Sequence, residues 1–382
     1  MSDLTQINKA LSSLFPPTRM EVLTAGRKTG KNEWSIVVHP RGDGDLSSVL
    51  RLARAEGVPL RIGGRTINGR PPTTPGGAIR VDMTGMDRVI SLDEESLLIR
   101  VQAGISIAVL KSRLSEKKLM TGWSIYSDSP HTLGAVLAGR VAARWGACFG
   151  PPEGSIRSLT AVLPDGGIVS SPPAPRRAAG PDLAALMVGT HGRLGVISEL
   201  TLRVYPWPEH WEAISMEFQV EQLRTLGAFL RRGYLPNLME VDVQSDGNVQ
   251  CVVALSGMKS EVVTIRTEMV EQFGGSWEVE PGLPPRTPPL ANSVVLSWGG
   301  LSRFLDVWTG LKTRSAFQLY ECTGTSVKLS GGNPKAIRAA LEATSELRRH
   351  PKDRAREHLG GVKDLLDSPN ILGPMEGRDP IC

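Results

Sequence analysis

The sequence predicts an α+β protein built in two parts, and three observations carry that prediction. At 382 residues the chain is long enough for two domains with sizeable cores. Its 41 glycines and 28 prolines imply many turns and short strands rather than long helices. The texture also changes near residue 209. Before it, strands and helices are punctuated by glycine-containing loops. After it, strand and helix alternate in the rhythm of an antiparallel sheet with helices on one face.

The elements follow from local patterns. Residues 1–34 read as a short helix and an irregular lead-in, and Ile36 to His39 as a strand stopped by Pro40. Asp43 or Asp45 caps a helix that carries Val49, Leu50, Leu52 and Ala53 on one face. Pro59 to Ile62 and Gly77 to Asp82 are strands. Val89 to Leu92 and Leu97 to Val101 form a hairpin about Asp93-Glu94-Glu95. Ser106 to Lys117 is a helix with Ile107, Leu110 and Leu114 in one stripe, and Leu133 to Arg144 a second helix. Leu159 to Leu163, the turn Pro164-Asp-Gly-Gly167 and Ile168 to Ser170 make a strand–turn–strand unit. Leu183 to Val188 is a short helix, and Val196 to Val204 a strand. In the second part, Ala213 to Phe218, Leu238 to Val243, Gln250 to Leu255 and Val294 to Ser297 read as strands. Val220 to Arg232, Glu261 to Phe273, Phe304 to Leu311 and Ala336 to Arg349 read as helices, and Pro281 to Pro289 as a loop.

Composition excludes several classes. With 40% apolar and 22% charged residues, this is an ordinary globular chain. No run approaches the ~18 apolar residues of a membrane span. The start, Met1-Ser-Asp-Leu-Thr-Gln, lacks the pattern of a secretory signal, so a cytoplasmic protein is expected. Cys148, Cys251, Cys322 and Cys382 lie far apart, without the paired spacing of zinc or iron–sulfur sites; they read as reduced thiols, and no metal site is expected. The net charge of +5 comes from dispersed arginines, which argues against nucleic acid as a partner.

The most informative segment is Leu60-Arg-Ile-Gly-Gly-Arg-Thr-Ile-Asn-Gly69. Two adjacent glycines after a strand let backbone N–H groups approach a bulky anion with no Cβ in the way, and Thr66 and Asn68 add side-chain donors. A glycine pair in a loop is, taken alone, more often a plain tight turn. Three later elements raise the odds of a pyrophosphate-bearing cofactor: Val101-Gln-Ala-Gly104, Ser129-Pro-His-Thr-Leu-Gly134 with Gly139, and Gly189-Thr-His-Gly-Arg-Leu-Gly-Val-Ile-Ser198.

From Val37 to Pro208 these elements, with the Pro164-Asp-Gly166 turn, resemble the FAD-binding domain of the vanillyl-alcohol-oxidase and p-cresol-methylhydroxylase-type flavoproteins. The resemblance implies a two-subdomain FAD-binding domain over residues 35–208, preceded by a helix and lead-in over 1–34. An antiparallel-sheet substrate or cap domain over 209–350 would follow, with a tail over 351–382 returning to the FAD domain. It assigns the pyrophosphate to Ile62, Gly63, Gly64, Arg65, Thr66, Ile67 and Asn68. It assigns phosphate and flavin-edge contacts, through backbone donors, to Ser129, His131, Thr132, Leu133, Gly134 and Gly139. The adenine–ribose end falls to Leu194 to Ile197, mostly through backbone groups.

Departures from the family pattern matter as much. Arg65 stands where covalent members have a flavin-linking histidine, so FAD is expected to be non-covalent. Ala135 replaces a glycine, and His191 and Arg193 replace the family's acidic and threonine residues. The histidine-rich C-terminal motif of the single-chain 2-hydroxy-acid dehydrogenases is missing. The combination is similar to the smaller FAD-binding subunit of bacterial glycolate oxidase, which implies a second flavoprotein subunit and an iron–sulfur subunit as partners. The resulting expectation is an FAD-dependent oxidoreductase, or its flavin-binding subunit, acting on a small 2-hydroxy acid such as glycolate or lactate. The alternatives are a sugar or aldonolactone oxidase and a non-catalytic flavin-fold subunit. Such chemistry needs a base and a carboxylate-binding cation as well as flavin. Of the six histidines, His131 is the best candidate base; His39 reads as structural, His191 as remote from the flavin ring, and His210, His350 and His358 as surface residues. Tyr126 and Tyr320 are possible proton donors, and Arg286, Arg303 and Arg314 possible carboxylate clamps, with nothing in the spacing to choose among them.

Overall fold

The computed structural model describes residues 4–24, 34–63, 77–125, 131–139, 143–144, 149–172, 182–230, 236–274, 293–297, 301, 305–306, 309, 317–320, 326–331, 366 and 372. Three hydrophobic cores organise them.

The first core lies beside a four-stranded sheet. Helix α1 (Leu4–Leu14) leads into β1 (Met20–Thr24) and β2 (Trp34–Val38). Helix α2 (Asp43–Glu56) then precedes β3 (Leu60–Gly63) and β4 (Ala78–Asp82). The order is β1-β2-β4-β3, with β2, β4 and β3 parallel and β1 antiparallel to β2. Alternation puts Ile36, Val38, Leu60, Ile79 and Val81 on one face, where they meet Ile7, Leu11 and Phe15 of α1 and Leu46, Val49, Leu50 and Ala53 of α2. The α2 spacing of i, i+3, i+4, i+7 is the reason that helix forms against a sheet. Leu372, far along the chain, is buried in the same core. Strand β1 corrects the expected irregular lead-in: it is a sheet edge with Val22 exposed, so no burial pattern marks it in sequence. The N-cap of α2 is also corrected. It is Gly42, and Asp45 sits inside the first turn, where its carboxylate accepts the Arg41 N–H at 2.9 Å and an Arg19 N–H at 2.6 Å. Gly57 closes the helix in the left-handed region, at φ 63°.

The second core belongs to an antiparallel five-stranded sheet. In chain order come β5 (Val89–Asp93), β6 (Leu98–Gln102), α3 (Ile107–Ser115), β7 (Leu119–Met120), β8 (Ser124–Ile125), α4 (Leu133–Gly139) and β9 (Ala143–Arg144). They are followed by β10 (Ile156–Val162), β11 (Ile168–Ser170), α5 (Leu183–Met187), β12 (Val196–Arg203) and β13 (Tyr205–Pro206). The sheet order is β11-β10-β12-β6-β5. Ile99, Val101, Leu159, Ala161, Ile197, Leu200 and Leu202 form the core with Ile107, Leu110 and Leu114 of α3 and Leu133, Val136 and Leu137 of α4. The expected hairpin is present, and the Asp93 carboxylate accepts the N–H groups of Glu95 and Ser96 in its turn. The helix expected over 133–144 is described over Leu133–Gly139, and Ala143–Arg144 is a strand that pairs with Ser124–Ile125.

The Pro164-Asp-Gly-Gly167 turn ties the first two units together. Ser47 Oγ on α2 donates to the Gly166 carbonyl at 2.6 Å. Gly166 has φ +80°, and a Cβ there would lie 2.5 Å from the Arg51 side chain and 2.9 Å from the Ser47 carbonyl oxygen.

The third core fills one face of a six-stranded sheet. Its elements are β14 (His210–Gln219), α6 (Leu223–Leu230), β15 (Leu238–Val243), β16 (Asn248–Gly257), α7 (Lys259–Phe273), β17 (Ser293–Ser297), β18 (Phe317–Tyr320) and β19 (Ser326–Gly331). The order is β14-β16-β15-β18-β19-β17, antiparallel throughout. Ile214, Met216 and Phe218, Met239, Val241 and Val243, and Val249, Cys251, Val253 and Leu255 pack under α6 and α7. Burial pushes the Cys251 thiol well above its ordinary pKa, with the Glu240 charge adding to the effect, so it stays protonated at neutral pH. Strands β18 and β19 go beyond the sequence expectation. Leu305, Asp306 and Thr309 are helical, within the helix expected over 304–311. Pro281 to Pro289 and Ala336 to Arg349 lie outside the described residues. No described helix is long and apolar enough to cross a membrane.

Candidate functional site

The site is built where four glycine-bearing segments, distant in sequence, come together. Strand β3 ends at Gly63, at the C-terminal edge of the parallel strands, where α/β sheets place their ligands. Gly64, Arg65, Thr66, Ile67 and Asn68 follow directly and lie outside the described residues, as does Ser129.

The second segment is the turn after β6. Gly104 donates its N–H to the Met86 carbonyl at 2.8 Å. A Cβ at Gly104 would sit 1.7 Å from the Met83 carbonyl oxygen and 2.7 Å from that of Met86, so only glycine fits. This is the physical content of the Val101-Gln-Ala-Gly104 element.

The third segment, His131 to Gly139, docks on that turn. Thr132 bridges to Ser106, and the His131 carbonyl accepts the Ile107 N–H at 2.9 Å. Leu133 donates to Ile105 O at 2.9 Å, and Gly134 to Ala103 O at 2.7 Å. The Thr132 hydroxyl accepts the Ala135 N–H at 3.3 Å, at the start of α4. A Cβ on Gly134 would approach the Ala103 carbonyl oxygen to 3.1 Å. The backbone N–H groups of Leu133 and Gly134 are thus spent on protein carbonyls and hold the segment against the Gly104 turn. Gly139 is the last described residue of α4 and is half-buried.

The fourth segment is Gly189 to Gly195. Gly189 N–H donates to Leu137 O at 3.1 Å and His191 N–H to Ala138 O at 2.9 Å, which fixes the loop to the end of α4. Gly189, His191 and Gly192 have positive φ, and a Cβ on Gly192 would lie 3.7 Å from the Ile62 Cβ. The loop therefore joins α4 to the end of β3. Leu194 and Ile197 are buried core side chains, and Ile197 is paired with Ala161 inside the sheet. The exposed His191 and half-buried Gly192 and Arg193 are the part of this segment that reaches the surface.

The histidines sort clearly. His131 is buried, and desolvation holds its imidazole pKa below the ordinary value, so the ring is neutral at pH 7. His39 lies 3.6 Å from the Asp82 carboxylate, which also accepts the Thr84 N–H. His210 is half-buried on β14. Its Nε2 lies 2.8 Å from Glu212, a buried carboxylate that also receives Arg266 at 2.9 Å. His350 and His358 lie outside the described residues, as do Tyr126, Arg286, Arg303 and Arg314. Tyr320 pairs with Lys328 across β18 and β19. Among the described residues no group of three or more histidine, cysteine or acidic residues could hold a metal ion. A small apolar cleft opens where the β7–β13 pair meets the six-stranded sheet, lined by Met120, Phe149, Trp207, Pro208, Trp211 and Asn237 among others.

Close-packed glycines and a loop that starts at the end of parallel strands fit a dinucleotide. Comparison with known proteins agrees. The profile of the FAD-binding-domain family matches residues 34–171. The chain is 30% identical over 210 residues to YgcU, an uncharacterised FAD-linked oxidoreductase of Escherichia coli strain K12, covering 53% of this chain and 43% of that protein. It is 32% identical over 177 residues to the mitochondrial cytochrome D-lactate dehydrogenase of Arabidopsis thaliana, covering 46% of this chain and 31% of that one. The aligned region thus spans less than half of these relatives. Among solved structures, an alkyldihydroxyacetonephosphate synthase superposes with a TM-score of 0.72 at 16% identity, covering 97% of this chain and 85% of the other. Substrate-bound p-cresol methylhydroxylase does so with a TM-score of 0.64 at 12% identity, covering 98% and 97%. These two likenesses speak for the fold. Residues 34–171 are thus an FAD-binding domain, the cofactor is FAD, and the chain has the fold of the p-cresol-methylhydroxylase-type flavoproteins.

Proposed function

We propose that the chain is an FAD-dependent oxidoreductase, or the flavin-binding subunit of one, that oxidises a small 2-hydroxy acid such as glycolate or D-lactate. The observation that carries the reading is the chain of contacts that links the Gly104 turn, α4, the 189–195 loop and the end of β3, in a chain whose residues 34–171 match FAD-binding domains. Similar proteins named D-lactate dehydrogenase, from Arabidopsis thaliana and Anaerostipes hadrus, support the substrate class. Residues 35–208 act as the FAD domain, 209–350 as the cap and 351–382 as the returning tail; burial of Leu372 beside α1 and α2 supports that last assignment. When bound, FAD supplies the hydride acceptor. Arg65 in the linking position leaves it non-covalent. The neutral, buried His131 is the residue best suited to accept the hydroxyl proton.

The test is direct. Purified protein is expected to be yellow and to release free FAD on acid treatment. With an artificial dye acceptor it is expected to turn over glycolate or D-lactate. Activity confined to sugar lactones would replace the substrate assignment, and a colourless protein that FAD cannot reconstitute would remove the reading.

The second reading is a subunit in which the flavin fold serves assembly or electron relay. Ala135, His191 and Arg193 stand at positions where the family's usual residues are absent, which favours it. Co-purification with a second flavoprotein and an iron–sulfur protein, with no turnover by the isolated chain, is its signature. Its partners would then carry the substrate chemistry, in a cytoplasmic complex.

A further inference from the structure

Strand β4 alternates cleanly. Ile79 and Val81 enter the core under α1 and α2, which leaves Ala78, Arg80 and Asp82 on the opposite face. In the parallel register Arg80 stands beside Arg61, and Asp82 beside Gly63. The Arg80 side chain runs toward the C-terminal edge of the strands: a Cβ built on Gly63 would have Arg80 Nη2 at 3.8 Å and Nε at 4.0 Å. A half-buried guanidinium therefore lies against the first glycine of the loop, at the edge where parallel strands present their ligands. The carboxylate on the same edge, Asp82, faces His39 and accepts the Thr84 N–H. Arg80 is itself engaged within the protein, yet a guanidinium carries five N–H donors and can serve two partners.

We propose that Arg80 is a pyrophosphate-binding residue of the cofactor site, its guanidinium presented beside Gly63 at the C-terminal end of β3. The assignment rests on the FAD reading and deepens it. A partly desolvated cation attracts a dianionic diphosphate more strongly than a solvated one. Because the contact is to phosphate, it discriminates between ligands that carry a diphosphate and those that do not.

The experiment titrates the apoprotein with FAD, with ADP and with riboflavin. Arg80→Gln is expected to weaken FAD and ADP by about ten- to a hundredfold, as loss of a charge-assisted contact does, and to leave riboflavin within about twofold. Arg80→Lys, which keeps the charge without the planar fork, is expected to fall between. A wild-type measurement covers poor folding of the variants: modification of Arg80 by phenylglyoxal, followed by mass spectrometry, should be slowed by FAD and ADP but not by riboflavin. Unchanged FAD affinity in Arg80→Gln, equal losses for FAD and riboflavin, or no protection of Arg80 would each overturn the assignment while the FAD reading stands. Failure of wild-type apoprotein to bind FAD at all would overturn both.

Discussion

At the residue scale, charge and solvation decide what the site can do. Arg65 follows the end of β3 by two positions, within the glycine loop. A guanidinium there contributes roughly 1.5–3 kcal/mol to a phosphate contact, so Arg65→Ala is expected to weaken FAD by about ten- to a hundredfold in a titration of apoprotein. Arg65→His is expected to leave the flavin extractable by acid. His131 gives a pH signature. Burial lowers its pKa from 6.5, so between the folded and unfolded values only the unfolded chain binds the proton. Acidification from pH 7 through that window therefore costs stability, and His131→Gln is expected to flatten this part of the denaturation profile. If the ring also takes the substrate proton, that variant lowers kcat with the dye acceptor by about a hundredfold or more. Glu212 behaves in the opposite sense. Burial alone would raise its pKa, but hydrogen bonds from His210 and Arg266, with their charges, hold it below 4.5. Its stabilising contribution is present above the unfolded value and lost as pH falls through the folded one. Glu212→Gln is expected to reduce stability at pH 7 and to weaken its dependence on acid, as followed by chemical denaturation across pH.

At the element scale, the glycines mark contacts rather than flexibility. Gly104 is needed because the carbonyls of Met83 and Met86 occupy the space of a side chain, and the Gly104 turn in turn docks α4 through Ala103 and Ile105. Gly104→Ala must displace backbone, which costs about 1–3 kcal/mol or more. It is expected to lower the denaturation midpoint and to release FAD before global unfolding. The V-x-A-G pattern was legible in the sequence because a short motif carries this requirement. The strand at Ala143–Arg144 was not legible: residues 133–144 hold alanines and glycines without a stop signal, and 143–144 pair with Ser124–Ile125, a contact some twenty residues away. Strand β1 escaped for a related reason, since edge strands need no buried face.

At the scale of the whole molecule, the chain closes on itself. Leu372 is buried among α1, α2 and the four-stranded sheet, so the end of the chain stabilises its beginning. Leu372→Ala is expected to cost about 2–5 kcal/mol, the usual loss for a buried leucine, and to lower the temperature at which FAD is released. The α+β class and the antiparallel sheet under helices were readable from periodicity, because alternate burial writes period two into β14, β15 and β16 and period 3.6 into α2 and α3.

The sequence by itself determined the cofactor class and the identity of the glycine segments, since a backbone that must pass close to another backbone or to an anion tolerates little else. Tertiary structure alone decided which of those segments touch, and how their donors are used. Leu133 and Gly134 spend their N–H groups on Ile105 and Ala103. Arg80, silent in a run of strand residues, is carried to the side of Gly63 by the parallel register of β3 and β4. Glu212, two positions from its partner His210 on one strand face, also receives an arginine of α7 from far along the chain. Neighbours of this kind are set by register and packing between distant segments, and no local pattern in the chain encodes them.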